Sequence, residues 1–290
     1  MTSAGPGADT RARVADILGW SPAEWRPAHG GYTPAARWRV AGDSGRRAFV
    51  KLATTPLTAR MLRGEIRAYA ALSGPFMPRA HGWRDDPAAP LLVTEDLGAA
   101  HWPPPWRDGD VAAVVAAIEA LHAATADLPP FSKAHADNGP GWGAVAADPD
   151  AFLGLGLVSA DWLARALPAL IEAEAACPTA GNAPCHLDLR SDNLCLDADG
   201  VRLIDWAAAC LSNPRLDLGF WLPSLAFEGG PPPEAILPDA PEVAAWTSGF
   251  FAARAGLPDI PDAPFVRRVQ REQLGPALAW AIRALRLEGV

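Results

Sequence analysis

Apolar positions recurring at helical spacing mark a short leading helix over residues 9–19. From about 26 to 53 the pattern becomes strand, glycine-rich turn, strand, turn, strand. Arg37-Trp38-Arg39-Val40 alternates polar and apolar side chains, Gly42-Asp43-Ser44-Gly45 makes a turn, and Ala48-Phe49-Val50-Lys51-Leu52 is the next strand. Thr55, a cap, and Pro56, in the first turn, open a helix that carries Glu65 and runs to about Leu72, where Ser73-Gly74-Pro75 stops it. Two more strands lie near 79–84 and 91–95. Residues 20–95 therefore predict a small sheet with one helix.

After Glu95-Asp96-Leu97-Gly98 the texture changes. Trp102-Pro103-Pro104-Pro105-Trp106 is a rigid loop, and a helix over about 108–126 places Val111, Val114, Val115, Ile118 and His122 on one stripe. Further helix is predicted around 160–176 and 262–288. Between these lie two short apolar runs, Leu194-Cys195-Leu196 and Val201-Arg202-Leu203-Ile204, around Asp197-Ala198-Asp199-Gly200, which reads as a β-hairpin. There is no internal repeat, and Gly229-Gly230-Pro231-Pro232-Pro233 is a short loop insert. The order predicts an α+β fold of two lobes: a β-rich N-terminal lobe over 1–97 and a larger, mainly helical lobe over 98–290.

Composition narrows the partners. A net charge of −8 over 290 residues argues against nucleic acid or an acidic membrane surface and is compatible with a cationic substrate. Cys177, Cys185, Cys195 and Cys210 lack C-x-x-C spacing and read as buried thiols of a reducing compartment. The N-terminus is not built like a signal peptide, and no run of about 18 apolar residues exists to span a bilayer. A cytoplasmic protein, monomeric or homodimeric, is expected. Of 25 basic residues only Lys51 and Lys133 are lysine, a bias towards arginine codons against which a retained lysine is a candidate for necessity.

The chemistry concentrates around the hairpin. His186-Leu187-Asp188-Leu189-Arg190-Ser191-Asp192-Asn193 fits H-x-D-L-x-x-x-N, the catalytic-loop pattern of kinases apart from one position, and Asp205-Trp206 follows twelve positions later. A hairpin brings the residue before its first strand beside the residue after its second, so Asn193 and Asp205 should meet at its open end. An amide oxygen and a carboxylate there are hard ligands suited to Mg²⁺ on nucleotide phosphates. Asp188 is the candidate base for an acceptor hydroxyl. His186 is a strut of the loop, and Arg190 either stabilises the transferring phosphoryl group or is structural. Asp192 is a turn residue, and Asp217 either caps a helix or braces the loop. Upstream, Lys51 can reach the α- and β-phosphates, and Glu65 can hold it extended. Gly30-Gly31-Tyr32 could bring backbone close to the phosphates, although G-x-G-x-x-G is absent. Leu91-Leu92-Val93 leads into Thr94-Glu95-Asp96, a hinge whose backbone would bind the base edge. His29, His81, His101, His122 and His135 show no ligand spacing to one another.

In CHLDLRSDNLCLDADGVRLIDWAAAC, supported by AFVKLA, GEIRAYAAL, VTEDLG and the ALHAA segment at 120–124, the chain resembles the aminoglycoside phosphotransferase family of kinase-like proteins, over roughly residues 20–250. The resemblance implies a bilobal protein-kinase-like fold that uses Mg²⁺ and ATP or GTP to phosphorylate a hydroxyl of a small molecule. By matching position it implies Lys51 and Glu65 as the phosphate-binding pair, Thr94 and Asp96 as hinge contacts, Asp188 as base, and Asn193 and Asp205 as metal ligands. Leu187 stands where the family usually has glycine. Ala-Pro-Glu and a long phosphorylatable segment are missing after Asp205, which disfavours a protein substrate. The late acidic residues Glu228, Glu234, Asp239, Asp259, Asp262 and Glu288 either line a pocket for a cationic acceptor or form a solvated surface; the 12 tryptophans are mainly core, and a few of them, such as Trp102, Trp106, Trp142 or Trp221, are candidates for a pocket wall. An aminoglycoside or other antibiotic is the expected acceptor. A metabolite kinase of choline, homoserine or sugar type, and a non-catalytic nucleotide-binding regulator, are the alternatives.

Overall fold

The computed structural model describes residues 5–28, 30–261 and 263–288, so His29 and Asp262 lie outside the described residues. The first elements are α1 (Ala8–Leu18), β1 (Glu24–Pro27), β2 (Ala36–Ala41), β3 (Arg47–Leu52), α2 (Pro56–Ala71), β4 (Ala80–Arg84) and β5 (Leu91–Thr94). Helices α3 (Asp110–His122), α4 (Phe131–Ala134), α5 (Gly141–Ala147), α6 (Asp150–Leu153) and α7 (Ala160–Ala176) follow. Strands β6 (Ala183–Cys185), β7 (Leu194–Asp197), β8 (Gly200–Leu203) and β9 (Cys210–Ser212) precede α8 (Arg215–Phe227), α9 (Pro241–Ala255) and α10 (Val266–Ala284).

The chain forms two compact units. One takes in the residues up to Pro103, Arg107–Leu128 and Asp192–Ala209; the other takes in Pro104–Trp106, Pro129–Ser191 and the residues from Cys210 onward. In the first unit an antiparallel sheet runs in the order β1-β2-β3-β5-β4. Strand alternation sorts its side chains. Trp38, Val40, Ala48, Val50, Leu91 and Val93 pack on one face with Val14 of α1. Leu92, on the other face, packs with Ala53, Ala59, Leu62 and Ile66 around α2. The start of α2 is chemically determined: Thr58 N–H donates to Thr55 Oγ1 at 3.2 Å, Thr55 N–H donates to Thr58 Oγ1 at 2.9 Å, and Pro56 needs no donor partner in the first turn.

The second unit holds two long helices that periodicity does not reveal, α8 and α9. Their sequences, RLDLGFWLPSLAF and PEVAAWTSGFFAARA, are apolar on nearly every side because both are buried, and a helix buried all round has no polar stripe to betray it. Gly219 and Pro223 inside α8 further disguise it. Helix α3 ends at His122 rather than near 126, ahead of Pro129-Pro130, and the last helix spans Val266–Ala284 within the predicted 262–288. All four cysteines are free and buried; burial pushes the thiols of Cys177, Cys195 and Cys210 up to about 12 and that of Cys185 upward as well. Among the described residues no helix is long and apolar enough to cross a membrane.

A buried carboxylate organises this unit. Glu174 of α7, 4% exposed, accepts the N–H groups of Gly141 (2.7 Å) and Trp142 (3.0 Å) at the start of α5. Burial nevertheless pushes its carboxyl from 4.5 up to about 6, against the pull of those donors. The unfolded chain therefore ionises first as pH rises, so this group's contribution is fully present below about 4.5 and is lost between about 4.5 and 6. Chemical denaturation at closely spaced pH values should show stability declining across that window, and Glu174→Gln should remove that component of the decline.

Candidate active site

Three strands and one helix converge on Lys51. In β3 it lies across from Arg37 of β2 and Leu92 of β5, with its side chain on the α2 face of the sheet. Its ammonium donates to Glu65 Oε2 at 2.6 Å and to Asp205 Oδ1 at 3.0 Å. The side chains of Lys51 and Glu65 are only 12% and 6% exposed. Burial works against the Lys51 charge, but Asp205 and Glu65 outweigh it and raise the pKa, so the ammonium is held charged. Burial also raises the Glu65 carboxyl, with Lys51 opposing the shift.

Asp205 reaches this cluster because the hairpin forms. Leu194 pairs with Leu203 and Asp197 with Gly200, and Ile204 N–H donates to Asn193 C=O at 2.9 Å, so Asn193 and Asp205 flank the open end. Asp205 adopts a left-handed backbone (φ 63°, ψ 56°), a region aspartate tolerates better than most residues. Trp206 anchors the turn: it is fully buried and donates Nε1–H to Leu203 C=O at 2.8 Å. Gly64 lets α2 lie against the same segment, for a Cβ there would sit 2.6 Å from the Ala207 carbonyl oxygen. Leu203 N–H donates to Phe76 C=O at 2.7 Å, and buried Arg202 donates to Pro75 C=O at 2.6 Å while lying 3.6 Å from Glu95. The amide of Asn193 and the carboxylate of Asp205 make an oxygen donor set that fits Mg²⁺.

Thr94, Glu95 and Asp96, the expected hinge, lie in the same unit. Thr94 is buried and pairs with Phe49 and Ala80, and Glu95 N–H donates to Arg79 C=O at 2.9 Å. The side chain of Asp96 is engaged: Arg39 binds its carboxylate with two hydrogen bonds, 2.8 and 3.0 Å, and Gly98 N–H donates to it at 3.0 Å. Gly30 and Gly31 have φ of 123° and 75°, values that favour glycine. Trp102 donates to Leu97 C=O at 3.3 Å.

The second unit carries the other candidate residues. Leu187 is in the left-handed region (φ 58°) although only 6% exposed. For a leucine this costs about 1–2 kcal/mol, the physical reason a glycine is at home in such a position. Two interactions offset it: the side chain is buried, and Asp217, fully buried in the first turn of α8, accepts His186 N–H at 3.0 Å and Leu187 N–H at 2.6 Å. Asp217 thus braces the loop. His186 Nδ1 accepts Asp188 N–H at 3.3 Å. Arg190 forms an ion pair with Asp188. Glu228, at the C-terminal end of α8, accepts the Ser191 hydroxyl and the Trp106 indole N–H, the latter at 2.8 Å. Trp142 and Trp221 are 0% exposed, so of the two places the sequence left open to them they take the core, not a pocket wall. Glu234 is taken up by Arg283 (2.7 and 3.1 Å) and Asp259 by Arg271 (3.3 Å). No motif marks Arg37, Arg39, Gly64 or Arg202; for the first two the alternation of Arg37-Trp38-Arg39-Val40 is the available signal, and it needs the β2–β3 register to be read.

The sheet with its Lys51–Glu65 pair, the hairpin ending in Asp205 and the braced H-x-D loop define a kinase-like α+β protein. The chain belongs to the phosphotransferase enzyme family, whose profile matches residues 24–257. Solved structures agree on the fold. A choline/ethanolamine kinase family protein from Mesorhizobium loti is 17% identical, with 96% of this chain and 97% of that one covered and a TM-score of 0.62. A thermostable mutant of aminoglycoside phosphotransferase APH(4)-Ia, in ternary complex with ADP and hygromycin B, is 14% identical over 98% of this chain and 100% of its own, with a TM-score of 0.57. A putative fructosamine-3-kinase from Haemophilus somnus 129PT is 12% identical over 96% of each chain, with a TM-score of 0.54. No curated protein matches by sequence.

Two substitutions probe the supports. Gly64→Ala gains about 1 kcal/mol in helix propensity, yet the Cβ contact with Ala207 should make the melting temperature fall; an unchanged or raised value would mean α2 can yield there. Asp217→Asn leaves one of two backbone donors facing an amide N–H. It should cost about 2–3 kcal/mol in urea denaturation.

Proposed function

We propose that this protein is a Mg²⁺-dependent small-molecule kinase that transfers the γ-phosphate of ATP or GTP to a hydroxyl. The observation that carries the reading is the Lys51 ammonium held between Glu65 and Asp205, with Asn193 across the mouth of the same hairpin. Lys51 supplies the charge for the phosphates, and Glu65 keeps it aimed. The backbone of Thr94 and Asp96 binds the base, and Gly30 and Gly31 lie over the phosphates. Asn193 and Asp205 hold Mg²⁺, which when bound neutralises phosphate charge. Asp188 orients the acceptor hydroxyl and takes its proton; Arg190, paired with Asp188 in the resting protein, swings to the transferring phosphoryl group. Residues 1–97 act as the nucleotide lobe, and 98–290 supply the catalytic loop and acceptor pocket.

For the acceptor we infer an aminoglycoside or another cationic antibiotic. The net charge of −8 and the carboxylate of Glu228, bonded to Ser191 of the catalytic loop, support it, as does the hygromycin B complex of a protein with this fold. A choline- or ethanolamine-type metabolite is the second reading, favoured by the comparable likeness to a kinase of that family. The test is mass-spectrometric detection of added phosphate after incubation with Mg²⁺, ATP or GTP, and pooled aminoglycosides, other antibiotics, choline, amino alcohols and sugars. Asp188→Ala should lower turnover by about 10²–10⁴ while nucleotide still binds. Absence of nucleotide binding by the wild type would overturn the kinase reading; binding without transfer would favour a regulator.

A further inference from the structure

Arg37 stands directly across β2–β3 from Lys51, so the two cationic side chains share the α2 face of the sheet. Like charges in that position repel, and the repulsion is felt here: Arg37 works against the Lys51 charge and favours the Glu65 carboxylate. Lys51 has two carboxylates to compensate its charge. Arg37 has none within ion-pair distance among the described residues. Its guanidinium instead donates to neutral oxygens, Ala35 C=O at 2.9 Å, Thr33 C=O at 3.3 Å and Thr33 Oγ1 at 3.3 Å. Arg39, two residues along on the same face, shows the contrast, for the Asp96 carboxylate binds it with two hydrogen bonds.

The glycine turn lies against this unpaired guanidinium. Gly31 has φ 75°, and a Cβ added there would meet Arg37 Nη2 at 2.6 Å. A half-buried guanidinium with no carboxylate in ion-pair contact, beside the Lys51 ammonium and under a glycine turn, is arranged for an anion with several oxygens. We propose that Arg37 is a second phosphate-binding cation of the nucleotide site, and that it ties the Gly30–Gly31 turn to the bound phosphates. The assignment rests on the nucleotide-site reading above. Its planar fork suits two phosphate oxygens at once, and charge-assisted bonds to phosphate would replace weaker bonds to carbonyls. No bond is made or broken; the role is binding.

Calorimetric titration of adenosine, ADP and ATP into wild type, Arg37→Gln, Arg37→Lys and Arg26→Ala tests this. Glutamine retains a donor for the carbonyls of the loop and removes the charge; Arg26, exposed and paired with Glu24 on β1, is the control. Arg37→Gln should weaken ATP about tenfold or more, ADP less, and adenosine not at all, with Arg37→Lys in between. Equal losses for all three ligands, or none, would assign Arg37 to loop structure alone and overturn the proposal. Wild type that binds no nucleotide would remove the nucleotide-site reading itself. Circular dichroism checks folding, and should Arg37→Gln unfold, the same gradation in Arg37→Lys decides.

Discussion

One ammonium group sets the terms for the first unit. Lys51 is nearly buried, and burying a charge without partners is among the costliest things a fold can do. Two carboxylates make it tolerable, and they come from segments 14 and 154 residues away in sequence. For both to arrive, β3 must hold its register between β2 and β5, α2 must start at Thr55, and the β7–β8 hairpin must close. Gly64 and Trp206 then set how near α2 and the Asp205 turn approach each other. The same low dielectric that makes the cluster expensive makes its charges effective on a ligand.

The second unit meets a different constraint, a backbone one. The loop from His186 turns through a left-handed residue that here is leucine, and the strain is held by burial of the Leu187 side chain and by the Asp217 carboxylate. Both amide donors of that turn end on one buried carboxylate. The other end of the same helix meets Ser191 through Glu228. Helix α8 therefore grips the loop that carries Asp188 at two places, which explains why so apolar a helix keeps acidic residues at both ends.

The H-x-D-L-x-x-x-N string, the strand with its lysine, the capped helix with its glutamate and the hairpin were all legible, because each is a local matter of turn chemistry, capping or alternation. Arg37 and Arg39 illustrate the limit. In sequence they are equivalent polar positions of one strand, yet one is locked to Asp96 and the other faces Lys51 with no carboxylate. Only strand register and the path of the hinge separate them. Trp142 and Trp221 are open in sequence to the core, the commoner place for tryptophan, or to a pocket wall, since an aromatic ring serves both; their burial alone decides.

The sequence by itself determined the strands and helix around Lys51, the β7–β8 hairpin and the kinase-like α+β class, and it singled out the groups proposed for the chemistry, because these depend on neighbours within a few residues. Tertiary structure decided the rest. It showed that α8 and α9 are helices, since complete burial erases the polar stripe that would have revealed them. It chose between the two roles open to Asp217, helix cap and loop brace, in favour of the brace, and it left Arg37 without a carboxylate in ion-pair contact, because charges separated in sequence interact only when the chain has folded them into one low-dielectric place.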